Sequence, residues 1–163
     1  MDIAEYGIAP NADSLMQQLD QYDLMKHALE LEAYGMTIVP KEKLGTSDDF
    51  AERLRNGILN TCEKRNGVKI DDYLKDEPNP KDTGKNSWML LQEDDVFVEA
   101  ATNPAMLTLV RWLCGQSVVL SGHTWIIKGP GGKSLGLHSD AHGIPPGGGH
   151  IAHMCNASWI CTD

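Results

Sequence analysis

The spacing of apolar residues changes near Gly115, and this change constrains the fold more than any other feature of the 163-residue sequence. Before Gly115, apolar residues recur at helical intervals, whereas after it they form short β-type runs separated by glycine and proline clusters. Helices followed by strands, without βαβ alternation, predict an α+β or jelly-roll architecture. We expect one domain over 1–163, mainly helical over 1–115 and built from the first core strands over 116–163.

Three helices are predicted from their end signals. Asparagine before proline is typical of a helix start, and glycine after the last apolar position is typical of a helix end. The predicted helices begin after Asp23, at Thr46 or Ser47, and at Asn103, and they end at Gly35, Gly67 and Gly115.

Six short segments have the composition of β-strands. A charged segment lies between the first and the second of them. Pro78 and Pro80 break the charged stretch 71–87, which we interpret as a surface loop. The predicted strands are Met36–Val39, Trp88–Leu91, Ser117–Leu120, Thr124–Ile127, Leu135–Asp140 and Ile151–Thr162.

The charge balance disfavours two classes of partner. Lys and Arg total 14 against 23 Asp and Glu, so the formal net charge is −9. An acidic chain without a basic patch is unsuited to nucleic-acid phosphates or an anionic membrane surface. No window approaches the roughly 20 apolar residues of a membrane span, and the N-terminus lacks the pattern of a secretory signal. We expect a soluble cytoplasmic protein, with its oligomeric state open.

The four cysteines have no C-x-x-C spacing and stand among apolar residues. We interpret Cys62, Cys114, Cys155 and Cys161 as buried thiols in a reducing compartment rather than a disulfide or zinc framework.

His138 and Asp140 form an H-x-D pattern. In an extended strand, residues i and i+2 point to the same face, so both side chains could reach one metal ion. They would supply two of the three positions of the facial triad that holds non-haem Fe(II). By itself the pattern is common, and a rival metal set of His138, His142 and His150 stays open, with His153 nearby.

Two glycine-rich segments lie close to the H-x-D pattern in sequence, and neither is interpreted as part of the metal site. Gly129–Ser134 lacks the glycine spacing of a phosphate-binding loop and is interpreted as a turn. The segment 145–149 is either a mobile loop over a site or a plain linker.

In order along the chain, three motifs resemble the phytanoyl-CoA dioxygenase family of Fe(II)/2-oxoglutarate oxygenases. They are the segment Thr124–Pro130, the H-x-D segment Leu137–Asp140, and Asn156–Asp163 with its Trp and Thr-Asp. The helix running into Tyr34–Val39 and the helix from Asn103 to Gly115 are similar to the family's N-terminal part. The similarity therefore covers nearly the whole chain.

The resemblance implies a double-stranded β-helix with His138 and Asp140 as ligands of Fe(II) and with 2-oxoglutarate as co-substrate. It also implies that Thr124 and Trp159 line the 2-oxoglutarate pocket, with Asn156 and Thr162 as weaker candidates. A core aromatic role for Trp159 and a plain strand role for Thr162 stay open.

The chain departs from the family's pattern in two places. Leu135 stands where the family often has glutamine, so that contact to the co-substrate is not assumed. The family's distal His and 2-oxoglutarate-binding Arg would follow Asp163, and Arg111 lies in a predicted helix. We therefore expect the N-terminal portion of a longer oxygenase that hydroxylates a small molecule, with this portion inactive alone. The alternative is a non-catalytic jelly-roll fragment or binding module, and a zinc hydrolase is a distant third.

Overall fold

The computed structural model describes residues 12–67, 69–70, 86–128, 136, 138, 140, 143–144, 148 and 151–162. The α-helices of these residues include α1 (Ala12–Gln21), α2 (Met25–Tyr34), α3 (Phe50–Asn66), α4 (Asp95–Ala101) and α5 (Pro104–Cys114), with 3₁₀ turns at Lys41–Lys43 and Leu90–Gln92.

The chain divides into two compact units, and each contains segments that are distant in sequence. The first unit comprises 1–47, 102–119 and 139–158, and the second comprises 48–101, 120–138 and 159–163. Helices α1, α2 and α5 therefore belong to the first unit, and α3 and α4 belong to the second.

The first unit is built on a small apolar core between α1, α2 and α5. Its buried members are Leu19, Leu24, Ala28, Ala105 and Leu109. Asn103, which precedes α5, accepts a hydrogen bond from the Met106 amide at 2.9 Å and donates from its own amide to the Leu44 carbonyl at 2.8 Å. One side chain therefore caps α5 and fixes the segment that follows α2.

The helix ends that the sequence predicted are largely confirmed. Gly35 and Gly67 follow α2 and α3 in the left-handed conformation, at φ 71° and 68°. Pro104 opens α5 after the Asn103 cap, and Gly115 ends it. The predicted start of α3 at Thr46 or Ser47 is wrong, because this helix begins at Phe50 after a turn at Asp49.

The second unit packs α3 against α4 around a larger core. Its buried residues are Phe50, Leu54, Cys62, Ile70, Leu90, Val96, Phe97, Ala100 and Trp125. Gly57 permits the close approach of the two helices, since a Cβ at this position would lie 3.0 Å from Val96 Cγ1.

Arg65 at the end of α3 fixes the backbone that leads into α4. Its guanidinium donates to the carbonyls of Asn86 at 2.6 Å, Trp88 at 2.5 Å and Met89 at 3.1 Å. It also donates to the Glu93 carboxylate at 2.9 Å. Asn86 and Met89 have positive φ values of 55° and 61°, which residues other than glycine rarely adopt. The guanidinium therefore holds a turn that local preference would not maintain.

The predicted jelly roll, or double-stranded β-helix, is wrong for the described part of the chain, which is helical and contains no β-strand. The segment Trp88–Leu91 instead passes through left-handed Met89 into a 3₁₀ turn. Of the predicted strand Leu135–Asp140, only Gly136, His138 and Asp140 are among the described residues.

The period-two pattern behind the strand predictions is present, but it serves a different purpose. Trp125 and Ile127 pack on the core of the second unit, whereas Ile126 between them is 67% exposed. Trp159 and Cys161 pack on the same core, and Ile160 is 79% exposed. Alternate side chains of these segments thus pack against a core built largely from helices, with Trp125 buried and the other three partly buried. β propensity measures how well a side chain suits a half-buried extended surface, and a helical surface satisfies it here without a sheet.

The segment after α2 is held by a partly buried polar contact. The Thr37 hydroxyl donates to Glu30 Oε2 at 2.5 Å and accepts from His27 Nδ1 at 2.8 Å. His27 is buried. The Thr37 hydroxyl, and to a lesser extent Lys26, lowers the pKa of the Glu30 carboxyl below its usual 4.5.

This contact predicts a specific dependence of stability on pH. Because the folded pKa of Glu30 is depressed, its contribution is fully present above about pH 4.5 and is lost as the pH falls through the folded value. Thr37→Val removes the hydrogen bond to Glu30, so its melting temperature should fall less between pH 5 and pH 3 than that of the wild type. Thr37→Ser keeps a hydroxyl, so its melting temperature should fall as much as that of the wild type. Equal pH profiles for wild type and Thr37→Val, measured by circular dichroism melting, would contradict this prediction.

Candidate functional site

His138 is exposed, and its ring is oriented by a nearby backbone group. Its Nδ1 lies 2.7 Å from the Gly136 carbonyl oxygen. A carbonyl oxygen only accepts, so the bonded hydrogen belongs to Nδ1 and the lone pair of the neutral ring lies on Nε2. Metal-ligating histidines typically donate their other ring N–H in this way. The tautomer of His138 therefore suits metal ligation through Nε2.

Asp140 is exposed and contacts a residue 16 positions further along the chain. Its Oδ2 accepts a hydrogen bond from Asn156 Nδ2 at 2.6 Å. An ionised carboxylate only accepts hydrogen bonds, so the amide must present its NH₂ group to Asp140. The structure thus brings together a predicted metal ligand and a residue predicted to line the co-substrate pocket.

The donor types of His138 and Asp140 suit Fe(II). Imidazole nitrogen and carboxylate oxygen are the two ligand types of the facial triad. Ser139, which links the two residues, lies outside the described residues, so the structure describes the surroundings of His138 and Asp140 separately. Within the described residues, no group of three or more His, Cys, Asp or Glu side chains could hold a metal ion.

Two of the other predicted pocket residues, Thr124 and Trp159, contact residues of the second unit that are distant in sequence. The Thr124 hydroxyl donates to Ser87 Oγ at 2.7 Å. Trp159 packs edge-on against Phe50, with ring centroids 4.9 Å apart, as a core aromatic would. Thr162 is exposed.

Two members of the rival histidine set, His142 and His150, lie outside the described residues. His153 is exposed, and its Nε2 lies 2.8 Å from the Gly148 carbonyl oxygen. By the same reasoning as for His138, the lone pair of neutral His153 lies on Nδ1. Most of the predicted surface loop 71–87, the predicted turn Gly129–Ser134, and the loop or linker 145–149 apart from Gly148 also lie outside the described residues.

One partly buried imidazole, that of His123, had no signal in the sequence. His123 Nδ1 is buried without a hydrogen-bond partner in the described part of the chain, and its ring meets Phe97 edge-on at 5.8 Å. Burial lowers the pKa of His123 below its usual 6.5, so the ring is neutral at physiological pH. It touches neither the H-x-D pattern nor another metal-ligating group in any described contact.

The four thiols are free and Cys62 is fully buried. Burial raises the pKa of each thiol. It is the sole cause for Cys114 and the largest of several causes for Cys62, Cys155 and Cys161. Raised pKa values keep these sulfurs protonated at neutral pH, which makes them weak nucleophiles.

A surface depression of about 400 Å³ lies in the second unit, and its lining residues are Asn60, Glu63, Lys64, Gly67 and Lys69. Lys69 pairs with Glu63 at 2.5 Å and Lys64 pairs with Glu93 at 2.8 Å. Because both ammonium groups already have carboxylate partners, this depression is a poor anion site, and we assign it no function.

Comparisons with protein-family models, with curated proteins and with solved structures found no match. The likeness to the oxygenase family therefore depends on the sequence motifs. Among the described helices, none is both long and apolar enough to cross a membrane.

Proposed function

We propose that this chain contributes His138 and Asp140 as two protein ligands of Fe(II) in a 2-oxoglutarate-dependent oxygenase that hydroxylates a small molecule. The observation that carries the proposal is the hydrogen bond from His138 Nδ1 to the Gly136 carbonyl, because it leaves Nε2 as the ligating nitrogen. Asp140 follows two residues later, so chain geometry limits the two Cα atoms to about 7 Å apart.

Each partner has a separate role in the proposed reaction. Bound Fe(II) and 2-oxoglutarate would supply the oxidising chemistry. His138 and Asp140 would hold the metal and leave the remaining positions for the co-substrate and oxygen. We assign no residue as the third metal ligand or as the cationic group that anchors 2-oxoglutarate. The four free cysteines favour the reducing cytoplasm as the compartment.

The contacts of Thr124 and Trp159 favour a second candidate. Both side chains have structural partners, Ser87 and Phe50, that account for them without a co-substrate. A binding module that contains an H-x-D pattern but no metal would show the same contacts. Metal binding distinguishes the two candidates.

The test is an anaerobic titration of the protein with Co(II), a redox-stable substitute for Fe(II). Calorimetry and visible absorption measure the binding. His138→Ala and Asp140→Ala should each abolish the saturable binding seen in the wild type. Both residues are exposed, so the far-ultraviolet circular dichroism of these variants should be unchanged.

The matched controls are His142→Ala, His150→Ala and His153→Ala, which should bind Co(II) as the wild type does. Loss of binding in one of these controls would instead support the rival histidine set. Absence of saturable binding to the wild type would contradict the oxygenase proposal and favour the binding module.

A further inference from the structure

The side chain of Asn156 contacts the proposed ligand Asp140. The amide nitrogen lies 2.6 Å from Oδ2, a short distance for a hydrogen bond between an N–H and a carboxylate oxygen. The bond is charge-assisted, and such bonds are roughly twice as strong as those between neutral groups. Both residues belong to the first compact unit.

We propose that Asn156 is a positioning residue for the Asp140 carboxylate rather than a contact to 2-oxoglutarate. This inference rests on the proposed function of His138 and Asp140 as metal ligands. The amide fixes the rotation of the carboxylate about its last torsion by holding one oxygen. The carboxylate plane is then set before the metal arrives, so metal binding loses less conformational freedom.

The orientation of the amide also argues against the pocket role that the resemblance implied. Its donor side faces Asp140. The two carboxylates of 2-oxoglutarate need donors, because they are themselves acceptors. The hydrogen that Asn156 donates to Asp140 is therefore not available to a carboxylate of 2-oxoglutarate.

The experiment compares Co(II) affinity in the full chain for wild type, Asn156→Ala and Asp140→Ala. Partners that orient a metal ligand typically contribute 10- to 100-fold in affinity, so Asn156→Ala should weaken Co(II) binding by about that factor. Ser158→Ala, which alters another exposed residue of the same segment, is the matched control and should bind Co(II) as the wild type does.

A second measurement reports on the contact without metal. In nitrogen-15 correlation spectra, the side-chain NH₂ resonances of Asn156 should shift in Asp140→Ala and should not shift in Ser158→Ala. Unchanged resonances in Asp140→Ala would show that the contact is not formed, and this would overturn the positioning role.

The outcomes separate this inference from the proposed function. If the wild type binds Co(II), Asp140→Ala does not, and Asn156→Ala binds with wild-type affinity, then the role of Asn156 is wrong while the metal site stands. If the wild type has no Co(II) site that depends on Asp140, then both proposals are overturned. If Asn156→Ala lowers the affinity while its melting temperature equals that of Ser158→Ala, the positioning role is supported.

Discussion

Replacing Phe97 with alanine is expected to lower the free energy of unfolding by about 3 to 5 kcal/mol, the range measured for large aromatic deletions in protein cores. Phe97 in α4 is fully buried at 0% exposure. Its ring meets His123 edge-on, and a Cβ placed on Gly57 would lie 3.5 Å from its Cζ, so the site is closely surrounded. A cavity there would not collapse easily, because the facing helix α3 is held by other core contacts.

Urea denaturation followed by circular dichroism checks this expectation. Phe97→Leu, which keeps most of the volume, should cost less than about 1.5 to 2 kcal/mol and remain measurable if the alanine variant fails to fold. Val98→Ala alters the next residue of the same helix, which is 40% exposed, and serves as the matched control. Equal midpoints for Phe97→Ala and Val98→Ala would contradict the placement of Phe97 in the core.

Replacing Arg65 with alanine is expected to cost about 2 to 3 kcal/mol, because three backbone carbonyls lose a charged donor. The loss should also release the two positive-φ residues, Asn86 and Met89, from the turn that the guanidinium holds. The guanidinium further lies 5.9 Å from the centre of the Trp125 ring, which adds a cation–π contact.

Arg65→Lys should recover only part of this stability. One ammonium group lacks the planar fork with which arginine reaches several acceptors at once. Arg55→Ala, an exposed arginine of the same helix, is the matched control and should change the free energy of unfolding by less than about 0.5 kcal/mol. If chemical denaturation gave the same value for Arg65→Ala and Arg55→Ala, the interpretation of Arg65 as the residue that holds this turn would be wrong.

The parts of the fold that could be predicted from sequence are those set by neighbouring residues. Asn103 and Pro104 start α5, and Gly35 and Gly67 end their helices, because capping depends on a few adjacent backbone groups. The alternation around Ile126 was also a correct local signal. Its interpretation as part of a sheet failed, because pairing between strands depends on segments that are distant in sequence.

The same limit applies to the contacts of single side chains. Arg65 looks in sequence like an ordinary basic residue in the last turn of a helix, yet it binds carbonyls at least 21 residues away. The contact between Asp140 and Asn156 spans 16 residues, and no local pattern indicates it. The H-x-D pattern is local, so the sequence could propose His138 and Asp140 as ligands. It could not supply the partners that orient them.

The most direct test of the proposed metal site uses Mn(II), which is paramagnetic, at substoichiometric amounts. Nitrogen-15 correlation spectra of the full chain then show which resonances broaden first. A divalent ion held by His138 and Asp140 should first broaden the resonances of Gly136, His138, Asp140 and Asn156, because paramagnetic relaxation falls steeply with distance. Adding excess Mg(II), which prefers oxygen ligands alone, should leave this broadening largely in place. Broadening that begins elsewhere, at scattered carboxylates or around His153, would contradict the assignment of His138 and Asp140 as the metal ligands.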